Sequence, residues 1–446
     1  MEDRLRISVS GIRGKVPEAL NVEIASKFAS AFSSYLEKGS MALSRDGRES
    51  SRMLAMSAAS SVVASGMDCV DYGRIPTPFL QFHLRKARFS GGISVSAGHN
   101  PSPWNAMLLL NREGYYLEAS EGPEVFNVYE SGTFQKAPWN KLGTVQESAF
   151  PFDQYLEALS QTVNLEEIKK AGFTCTADPC NGALSPFIKP YGEFFGLNMI
   201  SINDEIDKPF FHSPEPSAAN SSQAEAVVKA TDSDIGFLVN SDGSRLSFVS
   251  EKGIGLSEEM TLPLCLLSLK DRIKTAVSTV ATSSLIDWVG NTSNIQIIKT
   301  KVGQSSVSHT VRAEGAGAGG EGSGSFLFLP FSPGYDSLLA LTLVLDLMAK
   351  ERKSLSEIVS PFPKLIRKKI KIQVSPEKIY RVMDMLEEKY SGESPDVTDG
   401  IRINRKKAWF IIRPSSTEFI LRIMIEGRDN ESVTDIEEEI KERIET

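Results

Sequence analysis

The feature that most constrains this chain is a rhythm in which short apolar segments alternate with segments of helical periodicity. Residues 18–38 place apolar side chains at helical spacing and end at Gly39, and a short apolar segment follows at 41–44. A second helical pattern covers about 50–65, and another strand-like segment covers 67–72. Strands that alternate with helices are typical of a layered α/β unit, because the helices cover the faces of a sheet.

The same rhythm begins again twice, and the end of the chain departs from it. A polar, proline-containing stretch at about 130–152 precedes the second round, and the third round begins at Leu256, where the pattern predicts a long helix. The last segment groups predicted strands at 368–374, 401–403, 408–412 and 419–425 between helices at about 376–390 and 432–445. We therefore expect three similar α/β domains and a C-terminal α+β domain. The predicted domains are residues 1–150, 151–254, 255–366 and 367–446.

Composition and charge exclude several classes of protein. The 446 residues carry a net charge of −8, and an acidic chain does not attract nucleic acid or anionic membranes non-specifically. The charged, alternating segment 1–8 is unlike a signal peptide, and no apolar run reaches the roughly 18 residues of a membrane span. The cysteines lack CxxC or metal-site spacing and predict buried free thiols: Cys69, Cys175, Cys180 and Cys265. We expect a cytoplasmic protein.

The clearest candidate for ligand binding is a turn near the C-terminus. Residues 413–418 have the sequence Arg-Pro-Ser-Ser-Thr-Glu between two predicted strands. An arginine fork, three hydroxyl groups and the amides of a turn can surround a phosphate dianion, and Arg422 on the next strand can add a second guanidinium. A surface turn with capping hydroxyls explains the same residues, so this turn alone leaves both interpretations open.

A glycine-rich run at 313–325 has three interpretations. It contains the formal spacing GxGxxG, but a dinucleotide site requires a strand before that motif and a helix after it. Here a strand is predicted after the run, so the context fails. A flexible linker is the second interpretation. The third is a ligand loop whose glycines permit close approach of the backbone, with Glu321 and Ser323 contacting sugar hydroxyls.

Two further polar turns follow predicted strands, at 94–101 and 240–245, and each is weak evidence on its own. Together with the turn at 413–418 and the glycine-rich run, they resemble in order and spacing the loops of the α-D-phosphohexomutases. That family includes phosphoglucomutase, phosphomannomutase and phosphoglucosamine mutase. Further matching motifs lie at 10–14, 44–48, 76–78, 178–182 and 300–303.

The resemblance covers essentially the whole chain and implies four domains around a central cleft, each contributing one loop. It also implies phosphoryl transfer from a phosphoserine to a sugar phosphate, through a bisphosphate intermediate and with one Mg²⁺. The catalytic positions that it implies are Gly98, His99, Arg13 and Arg245. The hexose-phosphate-binding residues that it implies are Lys301, Glu321, Ser323, Arg413, Ser415, Ser416, Thr417 and Arg422. For His99 itself, we favour a hydrogen bond within its turn, and a carboxylate partner is the alternative for Arg245.

The chain departs from the family at the nucleophile. The family's loop is Thr-Ala-Ser-His-Asn-Pro, and here Gly98 stands at the position of the serine, without a side chain to carry phosphate. Ser96 lies two residues earlier, which is about 6.5–7 Å of strand rise. Attack requires reacting atoms within about 3–3.5 Å, so Ser96 replaces the lost serine only in a different loop conformation.

The metal loop and the acid–base group depart as well. Of the three carboxylates in Asp-Gly-Asp-x-Asp-Arg only Asp242 remains, because Asn240 and Ser244 replace the others. Mg²⁺ prefers carboxylates and phosphates, so we predict no cofactor, with Mg²⁺ only if the mutase chemistry survives. Leu108 stands where the family has a lysine, and Ser325 stands where the sugar loop usually ends in histidine.

These losses affect the nucleophile, the metal and the acid–base group together, whereas the binding residues are better kept. We therefore predict a phosphohexomutase-like protein that is catalytically inactive and binds a hexose phosphate. One alternative is an active mutase-type phosphotransferase with a non-standard route. Another is a structural or partner subunit without a ligand. Homodimerisation, or pairing with an active relative, is the assembly that we consider.

Overall fold

The computed structural model describes residues 4–206, 208–375, 378–414 and 420–445, and four separate sheets organise them into four units. The first unit consists of β1 (Arg6–Ser8), β2 (Gly11–Lys15), α1 (Val22–Leu36), β3 (Ser40–Arg45), α2 (Glu49–Ala64), β4 (Asp68–Arg74), α3 (Thr77–Lys86), β5 (Gly91–Val95), β6 (Trp104–Asn111), α4 (Glu121–Ser131) and β7 (Val145–Glu147). The second consists of α5 (Phe152–Ser160), α6 (Leu165–Ala171), β8 (Thr174–Asp178), α7 (Ser185–Phe195), β9 (Asn198–Ser201), α8 (Ser222–Thr231), β10 (Ile235–Val239) and β11 (Leu246–Ser250).

The third unit consists of α9 (Thr261–Ser268), β12 (Thr275–Thr279), α10 (Leu285–Ser293), β13 (Gln296–Thr300), α11 (Gln304–Ala313), β14 (Ala318–Glu321), β15 (Ser325–Phe328), α12 (Ser337–Glu351) and α13 (Leu355–Val359). The fourth consists of β16 (Ile366–Gln373), α14 (Ile379–Tyr390), β17 (Ile401–Asn404), β18 (Ala408–Pro414), β19 (Ile420–Gly427) and α15 (Asn430–Glu445). Short 3₁₀ turns lie at Trp139–Lys141, Ala218–Asn220, Glu258–Met260 and Ser391–Glu393.

The first three units repeat one sheet topology. Their strands have the orders β6-β5-β3-β4, β11-β10-β8-β9 and β15-β14-β12-β13, and the first sheet is extended by β2 and β1 at one edge and by β7 at the other. In each unit three of these strands are parallel and the outer strand of the closing hairpin is antiparallel. The fourth sheet, β16-β19-β18-β17, is wholly antiparallel. The predicted three α/β units and one α+β unit are therefore confirmed.

Helix α12 is buried along almost its whole length. Every side chain from 337 to 349 is buried, as expected of a helix that is apolar on all sides. Its N-cap, Asp336, accepts the N–H of Leu339 and the hydroxyl of Tyr155, and burial raises the pKa of Asp336 to about 6. The core around α12 contains residues of the first three units, whereas the fourth unit has a core of its own.

The long helix predicted from Leu256 is wrong. The N–H of Leu256 bonds to the carbonyl of Phe248 beside β11, a 3₁₀ turn follows at Glu258–Met260, and α9 has only eight residues. The apolar residues of α9 are contiguous because all of its faces are buried, so their pattern could not mark where the helix begins or ends.

The four cysteines are free and buried, as predicted. None of the helices in the part of the chain that the structure describes is long and apolar enough to cross a membrane.

Candidate functional site

The polar loops singled out in the sequence follow the carboxyl ends of strands in different units, the place where open α/β sheets bind ligands. The loop after β5 contains Gly98, and the loop after β10 contains Asp242. A side-chain carbon built on Gly98 would lie 3.3 Å from Oδ2 of Asp242, so these two loops touch. The second loop also reaches the third unit, where the N–H of Leu246 bonds to the carbonyl of Gly324 at 2.9 Å. The strand ends therefore meet in one region.

Gly98 has a left-handed backbone, with φ of +57°, and it is held from both sides. Its N–H donates to Oγ of Ser96 at 3.0 Å, and its carbonyl accepts from Arg48 and from Oγ of Ser241, each at 2.7 Å. A side chain is disfavoured here by the backbone conformation and by the proximity of Asp242. The position that the family resemblance assigns to the nucleophile is thus a closed, hydrogen-bonded turn.

The side chain of Ser96 contacts Asp46, whereas a side chain at Gly98 would lie against Asp242. The Ser96 side chain is fully buried, and its hydroxyl donates to Oδ2 of Asp46 at 2.7 Å. The hydroxyl is therefore engaged in the interior, in addition to accepting the N–H of Gly98.

Asp46 is the centre of a buried hydrogen-bond cluster that sequence reasoning missed. We call it the Asp46 cluster and define it as Asp46, Arg48, Ser51, Ser96 and Ser241. Arg48, Ser51 and Ser96 each donate a side-chain hydrogen bond to the Asp46 carboxylate, at 2.6–3.0 Å. The single hydroxyl proton of Ser241 is shared between Oδ2 of Asp46, at 3.0 Å, and the carbonyl of Gly98, at 2.7 Å. The family-like motif at 44–48 contains Asp46 and Arg48, but nothing in the sequence assigned them a role. Ser241 connects the second unit to the first through this cluster.

Polar groups of the turn after β10 form hydrogen bonds with one another. Oδ1 of Asn240 accepts the backbone N–H groups of Ser244 and Arg245, at 2.9 and 3.0 Å. The Asn240 amide donates to Oγ of Ser244 at 3.0 Å, and that hydroxyl donates to Oδ1 of Asp242 at 2.7 Å. Among the described residues, no group of three His, Cys, Asp or Glu side chains could hold a metal ion.

Cationic side chains surround His99, which is beside Gly98. Arg245 is the main cause that lowers the pKa of His99 well below its ordinary value, followed by burial and by Arg13. Arg13 donates to Oδ1 of Asn100 at 2.9 Å, and burial and Arg245 lower its own pKa. Tyr116, also missed by sequence reasoning, is buried against Arg13, Arg245 and Asp242, and its burial raises the pKa of its hydroxyl. Positive charge is thus concentrated around His99.

Two expectations for these residues are wrong. The imidazole of His99 makes no hydrogen bond with any described residue, although we favoured a bond within its turn. The carboxylate alternative for Arg245 also fails, because no described carboxylate pairs with its guanidinium. The nearest carboxylate on the same loop, Asp242, instead accepts from Ser244.

The glycine-rich run is neither a linker nor an open loop. It contains β14, which was missed because glycine disfavours strands, and the tight turn 322–324 that leads to β15. A side-chain carbon at Gly320 would lie 2.2 Å from the carbonyl of Ser325, so glycine is required there. Oε1 of Glu321 accepts the N–H of Gly303 at 2.8 Å, and the hydroxyls of Ser323 and Ser325 are 2.9 Å apart. Lys301 is exposed, two residues before Gly303.

The fourth unit brings two guanidinium groups to the cleft. Arg413 and Arg422 are direct cross-strand neighbours on β18 and β19, and Arg422 contributes to lowering the pKa of His99. Arg413 pairs with Asp399 at 3.2 Å, and burial lowers the pKa of its guanidinium. The same Asp399 accepts the N–H of Val302 from the third unit at 3.0 Å. Ser415, Ser416 and Thr417 lie outside the described residues.

Three repeated α/β units and an antiparallel fourth unit, with loops meeting at a cleft rich in arginine, define the phosphohexomutase architecture. Residues 5–136, 153–253 and 258–365 match the phosphoglucomutase/phosphomannomutase alpha/beta/alpha domains I, II and III, and 366–443 match that family's C-terminal domain. The chain therefore belongs to the phosphoglucomutase/phosphomannomutase family.

Individual relatives agree with this assignment. The chain is 30% identical to a "Probable phosphoglucosamine mutase" of Pyrococcus horikoshii over 95% of this chain and 94% of the relative. It is also 30% identical to the phosphoglucosamine/phosphogalactosamine mutase of Sulfurisphaera tokodaii over 98% of each. A crystal structure of a phosphoglucomutase/phosphomannomutase family protein from Burkholderia thailandensis has the same fold, with a TM-score of 0.85, 21% identity, and coverage of 98% of this chain and 97% of that one.

Proposed function

We propose that this chain is a family member that binds a hexose phosphate without catalysing its isomerisation. The observation that carries the proposal is the state of the turn at Gly98. The residue expected to accept and donate phosphate has no side chain, and its backbone is fixed by Arg48 and Ser241. A phosphoserine route requires a hydroxyl at this position, and the protein supplies none there.

Ser96 does not supply the missing hydroxyl. It would have to break its 2.7 Å bond to Asp46, which would leave a buried carboxylate with one donor fewer. The turn would also have to rebuild, because the N–H of Gly98 is bonded to Oγ of Ser96. The Asp46 cluster therefore opposes the rescue that the sequence left open.

The residues after β10 do not fit Mg²⁺. A magnesium ion is held by oxygen ligands with free lone pairs, usually carboxylates and phosphates. Asn240 directs its oxygen to two backbone N–H groups, and one oxygen of Asp242 accepts from Ser244. Since Gly98 has no hydroxyl that could carry a phosphate as a further anionic ligand, we propose that the chain works without a metal.

The cleft is nevertheless suited to an anion with a sugar attached. Arg13, Arg245 and Arg422, which come from three different units, all lower the pKa of His99, and Arg413 is the cross-strand neighbour of Arg422. Guanidinium groups are good partners for phosphate because their N–H groups match its oxygens in pairs. Glu321 acts on the pKa of Arg413, so the turn with Glu321 and Ser323 lies near these arginines and offers acceptors for sugar hydroxyls.

Two alternatives remain testable. The names of the relatives favour a mutase with a non-standard route, in which phosphate moves between bound sugars without a covalent intermediate. A structural or partner subunit, as a homodimer or beside an active relative, would need no ligand at all. Measurements of hexose phosphate affinity and of mutase turnover distinguish these two alternatives from the proposed inactive binding protein.

The test is calorimetric titration of the full chain with the 6-phosphates of glucose, mannose and glucosamine, without added metal. We expect at least one to bind in the range of about 1 μM to 1 mM that is usual for metabolites. The unphosphorylated sugars are the matched control and should give no heat. A chain that binds none of the phosphates would contradict the proposal and favour the structural alternative.

A further inference from the structure

A buried ion pair connects the fourth unit to the 3₁₀ turn of the third unit. That 3₁₀ turn packs against residues 321–325, which we call the sugar-binding turn because of the proposed contacts of Glu321 and Ser323. Arg367 is the second residue of β16, and its guanidinium pairs with the carboxylate of Glu259 on the 3₁₀ turn of the third unit. Only 14% of the Arg367 side chain and 5% of the Glu259 side chain are exposed. Removing one partner from such a pair leaves a buried charge without compensation.

The pair is fixed by a second set of contacts. Nη2 of Arg367 donates to the carbonyl of Ala281 at 2.6 Å, and Oε2 of Glu259 accepts the N–H of Ser283 at 3.0 Å. Ala281 and Ser283 belong to the turn after β12, so this turn is held between the two charged side chains. Burial lowers the pKa of Arg367 to about 10, which leaves it charged at neutral pH.

The carboxylate of Glu259 also lies directly against the sugar-binding turn. A methyl group at Gly322 would be 2.0 Å from Oε2 of Glu259, so the absence of a side chain lets the two groups pack together. Gly322 separates Glu321 from Ser323, the two residues proposed to contact sugar hydroxyls. A displacement of Glu259 would therefore move the backbone that carries both of them.

We propose that Glu259 and Arg367 are positioning residues that set the spacing between the sugar-binding turn and the phosphate-binding arginines of the fourth unit. Arg367 moves with β16, which is paired to β19, and β19 carries Arg422. A shift of β19, which carries Arg422, would therefore move β16 and Arg367, and through Glu259 it would move the backbone at Gly322. This inference rests on the proposed function, because it assumes a ligand held at both ends.

A neighbouring pair provides the matched control. Glu258 and Lys369 also join the third and fourth units, at 2.8 Å, but 55% of the Lys369 side chain is exposed. The lysine end of this pair is exposed, so the pair contributes little to stability. The three atoms nearest to a side-chain carbon at Gly322 all belong to Glu259. Glu258 is one of the carboxylates that act to raise the pKa of Arg367, so Glu258→Gln removes an equal charge close to Arg367. It leaves the Glu259–Arg367 pair and the packing of Glu259 on Gly322 in place.

The test compares Glu259→Gln with Glu258→Gln, using a hexose 6-phosphate and inorganic phosphate as separate probes. Glutamine keeps the size of the side chain and an acceptor for Ser283 but loses the charge that holds Arg367. We expect Glu259→Gln to weaken hexose phosphate binding about tenfold, while inorganic phosphate, which contacts only one end, changes by less than about twofold. Glu258→Gln should leave both affinities unchanged.

A double variant separates positioning from stability. Glu259→Gln with Arg367→Gln removes both buried charges, so its unfolding midpoint should rise above that of Glu259→Gln alone. Its hexose phosphate affinity should stay low, because the connection is still absent. Recovery of affinity together with stability would overturn the proposal, as would an equal loss of both probes or an effect of Glu259→Gln no larger than that of Glu258→Gln.

Hydrogen exchange in the ligand-free protein distinguishes failure of this inference from failure of the proposed function. Glu259→Gln should accelerate amide exchange in residues 321–325 about tenfold over wild type, and Glu258→Gln should not. If the wild-type chain binds no hexose phosphate, the proposed function fails, and the exchange rates alone decide whether the pair positions the turn. Unchanged exchange in Glu259→Gln would reject the pair.

Discussion

The junction between the first and second units differs in kind from the junction between the third and fourth. At the former, Ser241 bonds to the Gly98 carbonyl and to Asp46, whose carboxylate is already matched by Arg48. At the latter, ion pairs span the boundary, with Glu259 facing Arg367 and Glu258 facing Lys369. At the first junction, polar groups of the two units therefore hydrogen-bond to each other.

Under the proposed function, this difference means that catalysis and binding are carried by separable parts of the fold. Gly98 and Asn240 stand where the family has a serine and a carboxylate, and both form hydrogen bonds within the protein. The arginines and the turn with Glu321 and Ser323 are then the parts that keep a ligand site. We therefore propose that this chain lost the reaction at one junction and kept binding at the other.

The largest expected effect comes from removing an arginine that we propose binds phosphate. Arg413→Ala removes the guanidinium that pairs with Asp399, and it should weaken hexose phosphate binding by about 100-fold or more while leaving the fold intact. Calorimetry and circular dichroism measure the two quantities. Arg428→Ala, at an exposed position of the same unit, is the control and should bind as wild type does. An unchanged affinity in Arg413→Ala would remove this arginine from the site.

The next effect tests the closed turn of the first junction. Gly98→Ser should destabilise the protein by about 1–2 kcal/mol from its left-handed backbone alone, and by more because of Asp242 at 3.3 Å. Gly132→Ser, at φ of +65° with no atom within 4 Å, isolates the backbone contribution. Urea unfolding should rank Gly98→Ser below Gly132→Ser. Gly98→Ser should also gain no mutase activity, because the metal loop is unchanged.

A smaller loss should follow from opening the Asp46 cluster. Ser241→Ala removes a fully buried hydroxyl that bonds to the Gly98 carbonyl and to Asp46, and it should cost about 1–3 kcal/mol of unfolding free energy. Ser247→Ala is the control, because the Ser247 hydroxyl is buried without a partner in the part of the chain described. Equal effects of the two substitutions would mean that the Ser241 bonds do not stabilise the junction.

The smallest effect concerns charge in the cleft. Arg245→Gln should raise the pKa of His99, since Arg245 is the main cause of its depression, and NMR titration would measure the shift. The unfolded chain binds the His99 proton near pH 6.5 and the folded chain only at lower pH. Wild-type stability should therefore fall as pH drops below about 6.5, and less so in the variant. His83, whose pKa is lowered by burial alone, is an internal reference that should not move.

Sequence could predict the architecture because it depends on patterns that are local and repeated. The three α/β rounds follow from the alternation of short apolar segments with segments of helical periodicity, and the α+β end follows from its grouped strands. The buried helix α9 and the glycine strand β14 were mispredicted, because contiguous apolar residues and glycine carry no periodic signal.

The sequence could identify residues of the candidate site, but it could not predict the contacts that these residues make. Gly98, Asp242 and Arg413 could be located from loop motifs. The partners of Ser241 and Glu259 could not, since each bonds to residues far away in sequence. Ser241 lies in a recognised loop motif, but the motif does not indicate its partners. His99 showed the same limit, because the charges that determine its pKa come from distant parts of the chain.

The most direct test of the central claim is a coupled mutase assay with glucose, mannose and glucosamine phosphates, supplied with Mg²⁺ and a hexose bisphosphate activator. Intact-protein mass spectrometry of the same reaction would detect any phosphoryl group on the chain, and an active relative run in parallel would validate the assay. We predict no turnover above buffer and no phosphorylated protein, under conditions where calorimetry detects hexose phosphate binding. Turnover well above background, with or without phosphate on a serine of the 94–102 loop, would contradict it.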